Sequence, residues 1–305
     1  MPPTATHGET HAIVAWSGGN EVFATFGSGY ETACGPGVTH ISWSMAKSMT
    51  HALVGFMVRD GLIDIDAAAP VPEWADDERS AITLRHLLEM RSGLAWLEDY
   101  VDGENSNVID MLFGSGKSDH AAYAVARPLE HPPGTHWLYS SGTTNIVCRI
   151  LGDVLGGDDP SERRDRMNNF IRSRLFGPLG MTSATAKFDD VGNFVGSSYV
   201  YATAADFARF GGLYVNDARG LLPDRWIEAA RTTVAIDAET GNGYGHHWWT
   251  WPEFPGSLVA TGYAGQFTIV LPEDDLVVVR LGDSPREMRD NVVALLAEVV
   301  TELRR

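Results

Sequence analysis

Two side chains near the N-terminus have the types and the spacing for nucleophilic catalysis. Ser44 and Lys47 lie three residues apart, where the sequence predicts the start of a helix. Residues i and i+3 share one face of a helix, so the hydroxyl group and the amine can meet. A serine attacks a carbonyl carbon when a base removes its proton, and a lysine serves as that base when its pKa is lowered. The pair therefore predicts a serine nucleophile with a lysine as its base.

The predicted helix supplies surroundings that lower a lysine pKa. Burial in an apolar environment disfavours the charged ammonium group, and a helix that is apolar on nearly every side belongs inside a protein. The helix ends at Arg59-Asp60-Gly61, because glycine accepts the left-handed conformation that closes a helix. Its first turn leaves backbone N–H groups that can bind an oxyanion. The apolar residues are Met45, Ala46, Met49, Ala52, Leu53, Val54, Phe56, Met57 and Val58.

Lysine is scarce in this chain and occurs at positions 47, 117 and 187. Lys47 lies in the most apolar helix, where an unpaired ammonium group would be costly. This placement favours the catalytic interpretation. The alternative is a structural lysine that is buried and paired with a carboxylate.

A second candidate is Tyr139, at the junction between a loop and the helix predicted to start near Thr143. A tyrosine has an ordinary pKa of about 10. A nearby ammonium group lowers that pKa and makes the phenolate a usable base. We therefore expect Tyr139 to point into a cleft as a proton carrier. The alternative is a half-buried aromatic residue that holds the loop.

The third candidate is the segment 260–266, which lies between two predicted strands and contains Gly262 and Gly265. Glycine within a strand pattern marks the close approach of a backbone or a ligand. A strand edge here can offer a backbone N–H group to a substrate carbonyl and complete an oxyanion hole with the N–H of Ser44. The alternative is a β-bulge without chemistry.

Strands near both ends of the chain and helices between them must hold these residues. Alternating patterns predict a hairpin at 11–30 and strands at 245–251, 258–261, 267–271 and 276–281. Helical patterns occupy 82–94, 107–113, 119–125, 143–155, 161–175, 204–215, 223–231 and 285–303. We therefore predict an α+β fold. A discontinuous α/β sheet domain comprises residues 1–62 and 187–305, and a helical domain comprises residues 63–186.

Composition bounds the class of protein. The 305-residue chain is 44% hydrophobic and has nine tryptophans, as is typical of a folded globular protein. A net charge of −17 argues against a nucleic-acid partner, because phosphate contacts need a basic face. The sequence shows neither a signal peptide nor an apolar run long enough for a bilayer, so we expect a soluble, cytoplasmic protein without a membrane partner. The sequence leaves open the oligomeric state and the redox state of Cys34 and Cys148.

Other chemistries lack their sequence signals. No Gly-x-Ser-x-Gly segment marks an α/β-hydrolase nucleophile, and no His-Glu-x-x-His segment marks a zinc protease. Gly116-Lys117-Ser118 is similar to the end of a phosphate-binding loop, but Met111 stands where that loop needs a glycine. We predict no cofactor and no metal. Two histidine pairs fit surface or packing roles better than a metal site: His131/His136 and His246/His247.

Together these elements resemble the serine β-lactamase/penicillin-recognising hydrolase superfamily over nearly the whole chain. The nearest branch is the class C-like one, which includes class C β-lactamases, D-alanyl-D-alanine carboxypeptidases, esterases and 6-aminohexanoate-dimer hydrolase. The resemblance implies a β-lactamase-like fold, in which an antiparallel sheet flanked by helices packs against an all-helical lobe. The segments that carry it are Ser44–Lys47, His86–Leu94, Tyr139–Ser141, Gly196–Thr203 with Asp206, and Gly262–Gln266.

The resemblance also implies a role for each candidate. Ser44 is expected to be the acylated nucleophile, and Lys47 its base or proton relay. Tyr139 is expected to protonate the leaving group and later to activate water. The residues expected to bind the substrate or its oxyanion are Ser44 and Tyr263, through their backbone N–H groups, and Gly262 and Ser141.

Two departures from the β-lactamase pattern bear on the substrate. Ala260 stands where β-lactamases carry a lysine that attracts the substrate carboxylate, and Ser141 stands where class C enzymes carry an asparagine. Both changes predict weak or no β-lactamase activity. We expect a serine hydrolase that cleaves a small ester or a linear amide through an acyl-enzyme, similar to the esterase and 6-aminohexanoate-oligomer hydrolase members. The alternatives are a β-lactamase or D-alanyl-D-alanine carboxypeptidase, and a catalytically silent penicillin-binding-like protein.

Two further groups have both a structural and a functional interpretation. Glu98 and Asp99 either contact an amine group of a substrate or lie in a solvated loop, and we favour the loop. Six tryptophans near the motifs either line the cleft or belong to the core: Trp43, Trp96, Trp137, Trp248, Trp249 and Trp251.

Overall fold

The N-terminal hairpin forms around two glycines. In the computed structural model of the protein, which describes residues 6–27, 34–100, 106–215 and 220–305, Gly18 and Gly19 have φ angles of 61° and 76°. A two-residue type I′ turn between antiparallel strands needs positive φ at both positions, and glycine adopts it without strain. The predicted hairpin is present, and its last predicted residues, 28–30, lie outside the described residues.

Both ends of the chain contribute to one antiparallel sheet. Among the described residues, eight strands are ordered β2-β1-β11-β10-β9-β8-β7-β6, and three short strands form a second sheet in the order β3-β5-β4. The strands are β1 (Glu9–Ser17), β2 (Asn20–Phe26), β3 (His40–Ile41), β4 (Thr185–Ala186), β5 (Val200–Ala202), β6 (Ala235–Ile236), β7 (Gly243–Tyr244), β8 (Trp249–Thr250), β9 (Leu258–Gly262), β10 (Gln266–Leu271) and β11 (Leu276–Asp283).

Helices cover both faces of the large sheet and fill the middle of the chain. They are α1 (Ala46–Arg59), α2 (Leu84–Leu88), α3 (Asn107–Phe113), α4 (His120–Val125), α5 (Ser141–Leu155), α6 (Pro160–Ile171), α7 (Gly177–Leu179), α8 (Ala204–Val215), α9 (Trp226–Arg231) and α10 (Arg289–Leu303). Helix α8 packs on β1, β10 and β11. Helix α10 buries Val292, Leu296 and Val300 in a cluster with Ile13 and Val278 of the sheet. The α+β class predicted from the sequence is confirmed.

A continuous core joins the sheet to the helices of the middle section. Val14 of β1, Leu53 of α1 and Ile146 of α5 are all buried in one cluster. Helix α1 contacts α5, and the α1 residues from Ala46 to Met57 are buried, as its apolar sequence predicts. The division of the chain into a sheet domain and a helical domain stays a prediction. None of the described helices is both long and apolar enough to span a bilayer.

Two predicted elements are shorter than the sequence pattern indicates. Helix α2 ends at Leu88 rather than near Gly93, because Met90 has a left-handed φ of 56°. The strand predicted at 245–251 reduces to β8, because His247 also has a left-handed φ, 54°, and turns the chain between β7 and β8. Apolar periodicity persists across such turns, so it does not mark them.

Candidate active site

Ser44 stands immediately before α1, on a short 3₁₀ turn formed by Trp43–Met45. Trp43 has a φ of 45°, which is strained for a residue with a side chain. Neighbouring hydrogen bonds hold this conformation: Ser42 N donates to Val200 O at 2.7 Å, and Ser42 Oγ donates to Ser198 O at 3.2 Å. Strain of this kind persists where the surrounding structure fixes it, often at active sites. It leaves the Ser44 side chain half-buried, within reach of a substrate.

Lys47 lies one turn further on, and its amine meets the serine. Lys47 Nζ is 2.9 Å from Ser44 Oγ, 2.9 Å from Ser141 Oγ and 3.0 Å from the carbonyl oxygen of Ser197. The lysine is 1% exposed. Burial lowers its pKa from 10.5 to about 8, although the charge of Glu98 opposes this shift. The predicted lowering of the pKa is therefore present.

The structural alternative for Lys47 required a carboxylate partner. No described carboxylate forms an ion pair with its amine, and all three contacts of Nζ are with uncharged oxygen atoms. The ammonium form is consequently disfavoured, as a general base requires.

Tyr139 reaches the same hydroxyl from the loop before α5. Its phenol lies close enough to Ser44 for that side chain to lower the phenol pKa, and Lys47 Nζ lies 4.9 Å from the centroid of its ring. Trp249 stacks on the ring at a centroid distance of 5.4 Å. The structure thus brings Ser44, Lys47 and Tyr139 together from two remote parts of the chain.

The expected lowering of the Tyr139 pKa is wrong. Burial and then the negative charge of Glu98 raise the pKa of the phenol well above its ordinary value, and the Ser44 side chain opposes them only in part. The lysine lies over the face of the ring, and desolvation outweighs any help it gives to the phenolate. Tyr139 is therefore a protonated phenol in the resting protein and is suited to donate a proton.

The third candidate segment is the tight connection between β9 and β10 rather than a bulge. Gly262 pairs with Gln266 at the end of both strands, and Tyr263–Gly265 form the turn between them. A Cβ atom on Gly262 would lie 2.3 Å from the carbonyl oxygen of Ser42. The absence of a side chain thus lets the backbone before Tyr263 lie against the segment that carries Ser44. The oxyanion role of the Tyr263 N–H stays a prediction.

Ser141 lies deeper than the other candidate residues of the site. It is fully buried, and its hydroxyl donates to Glu98 Oε1 at 2.5 Å while accepting from Lys47 Nζ. Its backbone N–H donates to Glu98 Oε2 at 2.9 Å. Helix α5 starts two residues earlier than predicted, with Ser140 as its N-cap, and this places Ser141 in the first turn. The side chain connects Lys47 and Glu98, and its role in binding the substrate stays a prediction.

Glu98 is the member of this hydrogen-bond network that the sequence interpretation missed. Besides Ser141, it accepts hydrogen bonds from Trp96 Nε1 at 2.6 Å and from the Tyr100 hydroxyl at 2.6 Å. The favoured interpretation, a solvated loop, is therefore wrong for this residue. The sequence did contain a signal for this network. Trp96 and Tyr100 each lie two residues from Glu98, so both can donate a hydrogen bond to its carboxylate.

Aromatic side chains flank the catalytic group on two sides. On one side, Trp43 meets Tyr263 edge to face at 5.7 Å, and Tyr263 packs on Tyr100 at 5.3 Å. On the other side, Trp249 stacks on Tyr139. Of the six tryptophans named above, Trp43, Trp137 and Trp249 are half-buried around these rings, whereas Trp96, Trp248 and Trp251 are buried.

The candidate site therefore consists of a half-buried hydroxyl, a buried amine of lowered pKa and a buried phenol of raised pKa. Within the residues that the structure describes, no group of three or more metal-ligating side chains occurs. The family model described as Beta-lactamase matches residues 9–301, so the chain belongs to the Beta-lactamase family. It is a serine hydrolase with the β-lactamase-like fold.

Three proteins of known or proposed function are similar to the chain. A 6-aminohexanoate-dimer hydrolase from Paenarthrobacter ureafaciens is 25% identical over 292 residues, which cover 88% of this chain and 71% of the relative. A proposed 6-aminohexanoate-dimer hydrolase from Bacillus anthracis has a similar fold, with a TM-score of 0.76 and 19% identity over 96% of this chain and 80% of that one. A D-stereospecific amidohydrolase from Streptomyces sp. has a TM-score of 0.66 and 17% identity, with coverage of 90% and 88%.

Proposed function

We propose that this serine hydrolase cleaves a small ester or a linear amide through an acyl-enzyme intermediate on Ser44. The observation that carries the proposal is the meeting of three groups at one oxygen atom. Lys47 Nζ lies 2.9 Å from Ser44 Oγ, and the Tyr139 phenol lies close enough to the same side chain for Ser44 to lower the phenol pKa. A base and an acid thus both lie beside the nucleophile, as proton transfer to and from it requires.

Acylation uses the lysine as base. Ser44 Oγ attacks the substrate carbonyl carbon as its proton passes to neutral Lys47. A fall in pKa from 10.5 to about 8 raises the neutral fraction of the amine at neutral pH by roughly 300-fold. The N–H groups of Ser44 and Tyr263 face the developing oxyanion and stabilise it in a site from which water is partly excluded.

The Tyr139 phenol takes part in proton transfer during both acylation and deacylation. Tyr139 gives its proton to the leaving alkoxide or amine when the tetrahedral intermediate collapses, and the ammonium group of Lys47 then replenishes that proton. In deacylation, a water molecule attacks the acyl carbon and loses a proton to the same pair of groups. Ser44 then leaves as the regenerated hydroxyl.

The surroundings of Ser44 favour a substrate without a carboxylate beside the scissile bond. Ala260, at the position of the carboxylate-binding lysine of β-lactamases, is 2% exposed and supplies no charge. Aromatic rings on both sides of the serine suit a flat or hydrocarbon chain. The names of the relatives point the same way, since two act, or are proposed to act, on the 6-aminohexanoate dimer and one is an amidohydrolase.

A substrate panel tests this function. Short p-nitrophenyl esters, the linear 6-aminohexanoate dimer, a D-alanyl peptide and the cephalosporin nitrocefin are each given to the wild type and to Ser44→Ala. We expect turnover of esters or of the linear amide, little or none of nitrocefin, and an acyl adduct on Ser44 by mass spectrometry. Ser173→Ala is the matched control, because this exposed serine lies far along the chain on the helical segment after α6.

The result also separates the alternative functions. Rapid nitrocefin or D-alanyl peptide turnover would favour a β-lactamase or a carboxypeptidase. A stable Ser44 adduct without turnover would favour a silent penicillin-binding-like protein, and undiminished turnover by Ser44→Ala would end the proposal.

We also propose that the protein acts in the cytoplasm. Its two cysteines, Cys34 and Cys148, are free thiols, and free thiols are typical of reducing compartments. Cell fractionation tests this location.

A further inference from the structure

Glu98 and Lys47 are joined by a single hydroxyl group. Ser141 Oγ accepts a hydrogen bond from Lys47 Nζ at 2.9 Å and donates one to Glu98 Oε1 at 2.5 Å. The chain of atoms therefore runs from Ser44 Oγ through Lys47 Nζ and Ser141 Oγ to a carboxylate. Lys47 and Ser141 are 1% and 0% exposed, so this part of the chain is shielded from water.

The carboxylate is held firmly at the end of this chain. Both of its oxygen atoms accept two hydrogen bonds: Oε1 from Ser141 Oγ and Tyr100, and Oε2 from Trp96 and the Ser141 backbone. These four donors hold the carboxylate in place. Because the Ser141 hydroxyl donates its proton to Oε1, its oxygen atom accepts a hydrogen bond from Lys47.

We propose that Glu98 is a positioning residue that prepares Lys47 as a base by receiving, through Ser141, the proton that the lysine must lose. The inference rests on the proposed function and deepens it. The ammonium group of Lys47 gives one proton to Ser141 Oγ while Ser141 gives its own proton to Glu98 Oε1. One N–H bond and one O–H bond break, and two O–H bonds form. The products are a neutral amine, an unchanged serine and a neutral carboxylic acid.

The exchange replaces two buried charges with none. Burial disfavours charged forms and so favours the neutral pair, whereas the four hydrogen bonds to the carboxylate favour the charged pair. No proton enters or leaves the protein, and the population of the neutral pair is therefore independent of pH until the network gains or loses a proton. This independence of pH distinguishes transfer of the lysine proton to Glu98 from its release to solvent.

Other titratable groups around the pair stay neutral at neutral pH. Burial raises the pKa of Cys148 to about 12 and lowers the pKa of His247 to about 3. Burial also raises the pKa values of the three tyrosines that face the pair, Tyr100, Tyr139 and Tyr244. The lysine and the carboxylate are thus the pair that can exchange a proton.

The pH dependence of acylation tests the proposal. We expect the acylation rate of the wild type, measured as the burst with a p-nitrophenyl ester, to be nearly constant below the Lys47 pKa of about 8. In Glu98→Gln the lysine must release its proton to solvent, so the rate should fall about tenfold for each pH unit below its pKa. Ser141→Ala, which keeps the carboxylate but removes the connecting hydroxyl, should show the same slope.

Two other roles for Glu98 give different results and would overturn the proposal. A carboxylate that only anchors the loop would lower the rate of Glu98→Gln by one factor at every pH. A carboxylate that only raises the lysine pKa would, when neutralised, increase the rate at low pH. Glu130→Gln is the control, because this exposed glutamate lies outside the network. Burst amplitudes count the folded active sites in every variant.

A measurement without substrate keeps this inference separate from the proposed function. The chain has lysines at 47, 117 and 187, so the ¹⁵N NMR spectrum of their amines is simple enough to assign. Below the Lys47 pKa, we expect the wild-type Nζ signal between the positions of an amine and an ammonium ion, and the Glu98→Gln signal at the ammonium position. Identical ammonium signals in both proteins would overturn the internal transfer, whether or not Ser44 proves to be acylated.

Discussion

Gly262 lies directly against Ser42, and a Cβ atom on the glycine would be 2.3 Å from the serine carbonyl oxygen. A backbone oxygen cannot move aside as a flexible side chain can. Gly262→Ala should therefore push the end of β9 away from the segment that carries Ser44. We expect the acylation rate to fall on the order of 100-fold, as for a misplacement of about 1 Å in other active sites. Burst kinetics measures it.

Two adjacent glycines of α8 provide the comparison for that variant. A Cβ atom on Gly212 meets nothing within 4 Å, whereas one on Gly211 would lie 2.5 Å from Val277. Alanine favours a helix over glycine by up to about 1 kcal/mol. Gly212→Ala should raise the free energy of unfolding and keep full activity. Gly211→Ala should lower the free energy of unfolding. Equal acylation rates in Gly262→Ala and Gly212→Ala would contradict the close-approach argument.

Tyr139→Phe removes the phenol but keeps the ring that stacks on Trp249. We expect the acylation rate to fall by about 100-fold or more, because a proton donor to the leaving group is lost. The melting temperature should stay nearly unchanged. The effect should be smaller for esters with a good leaving group such as p-nitrophenolate than for amides, and a uniform loss across leaving groups would argue against the acid role.

Lys47→Met should abolish activity and stabilise the fold. The pKa of Lys47 is about 8 in the folded protein and 10.5 when unperturbed, so below about pH 8 the folded state carries a penalty on the order of 3 kcal/mol. The unfolded state binds more protons between these values, and wild-type stability therefore rises with pH across that window. Denaturant unfolding should show a gain for the variant that is largest near neutral pH and shrinks toward pH 10. A gain independent of pH would contradict the assigned pKa.

Arg280 holds the turn after β9 through a hydrogen bond to the Gly265 carbonyl oxygen. This fully buried residue of β11 donates to Gly265 O at 2.7 Å, to Glu9 O at 2.9 Å and to Ser284 Oγ at 2.8 Å. Arg280→Met leaves these acceptors unpaired, and we expect a loss of about 3 kcal/mol in the free energy of unfolding. Arg225→Met, at an arginine side chain that is 82% exposed, should change it by no more than about 0.5 kcal/mol. Similar losses in both variants would show that the buried hydrogen bonds contribute little.

Local spacing made part of the site predictable. Ser44 and Lys47 meet because they are three residues apart at a helix start, and the apolar sequence of α1 indicates the burial that lowers the lysine pKa. The hairpin turns and the strands at both ends follow from glycine and alternation. These features depend on neighbours in sequence, which is the range over which periodicity carries information.

The features that the sequence did not predict depend on contacts between residues far apart in the chain. Ser141 and Glu98 lie 43 residues apart, and their contact depends on how the loop before α3 folds against the first turn of α5. The raised pKa of Tyr139 reflects its burial and a carboxylate from that same loop. The left-handed residues Met90 and His247 end their elements early, and neither is a glycine, the residue type whose presence would have indicated this conformation.

The tryptophans around Ser44 should make acylation visible in the intrinsic fluorescence of the protein. Trp43 precedes the serine and meets Tyr263 at 5.7 Å, and Trp249 stacks on Tyr139 at 5.4 Å. An acyl group on Ser44 will change the polarity and the quenching of both indoles. Stopped-flow fluorescence of the unlabelled enzyme will therefore follow colourless compounds directly, so a search for the natural substrate does not depend on chromogenic esters.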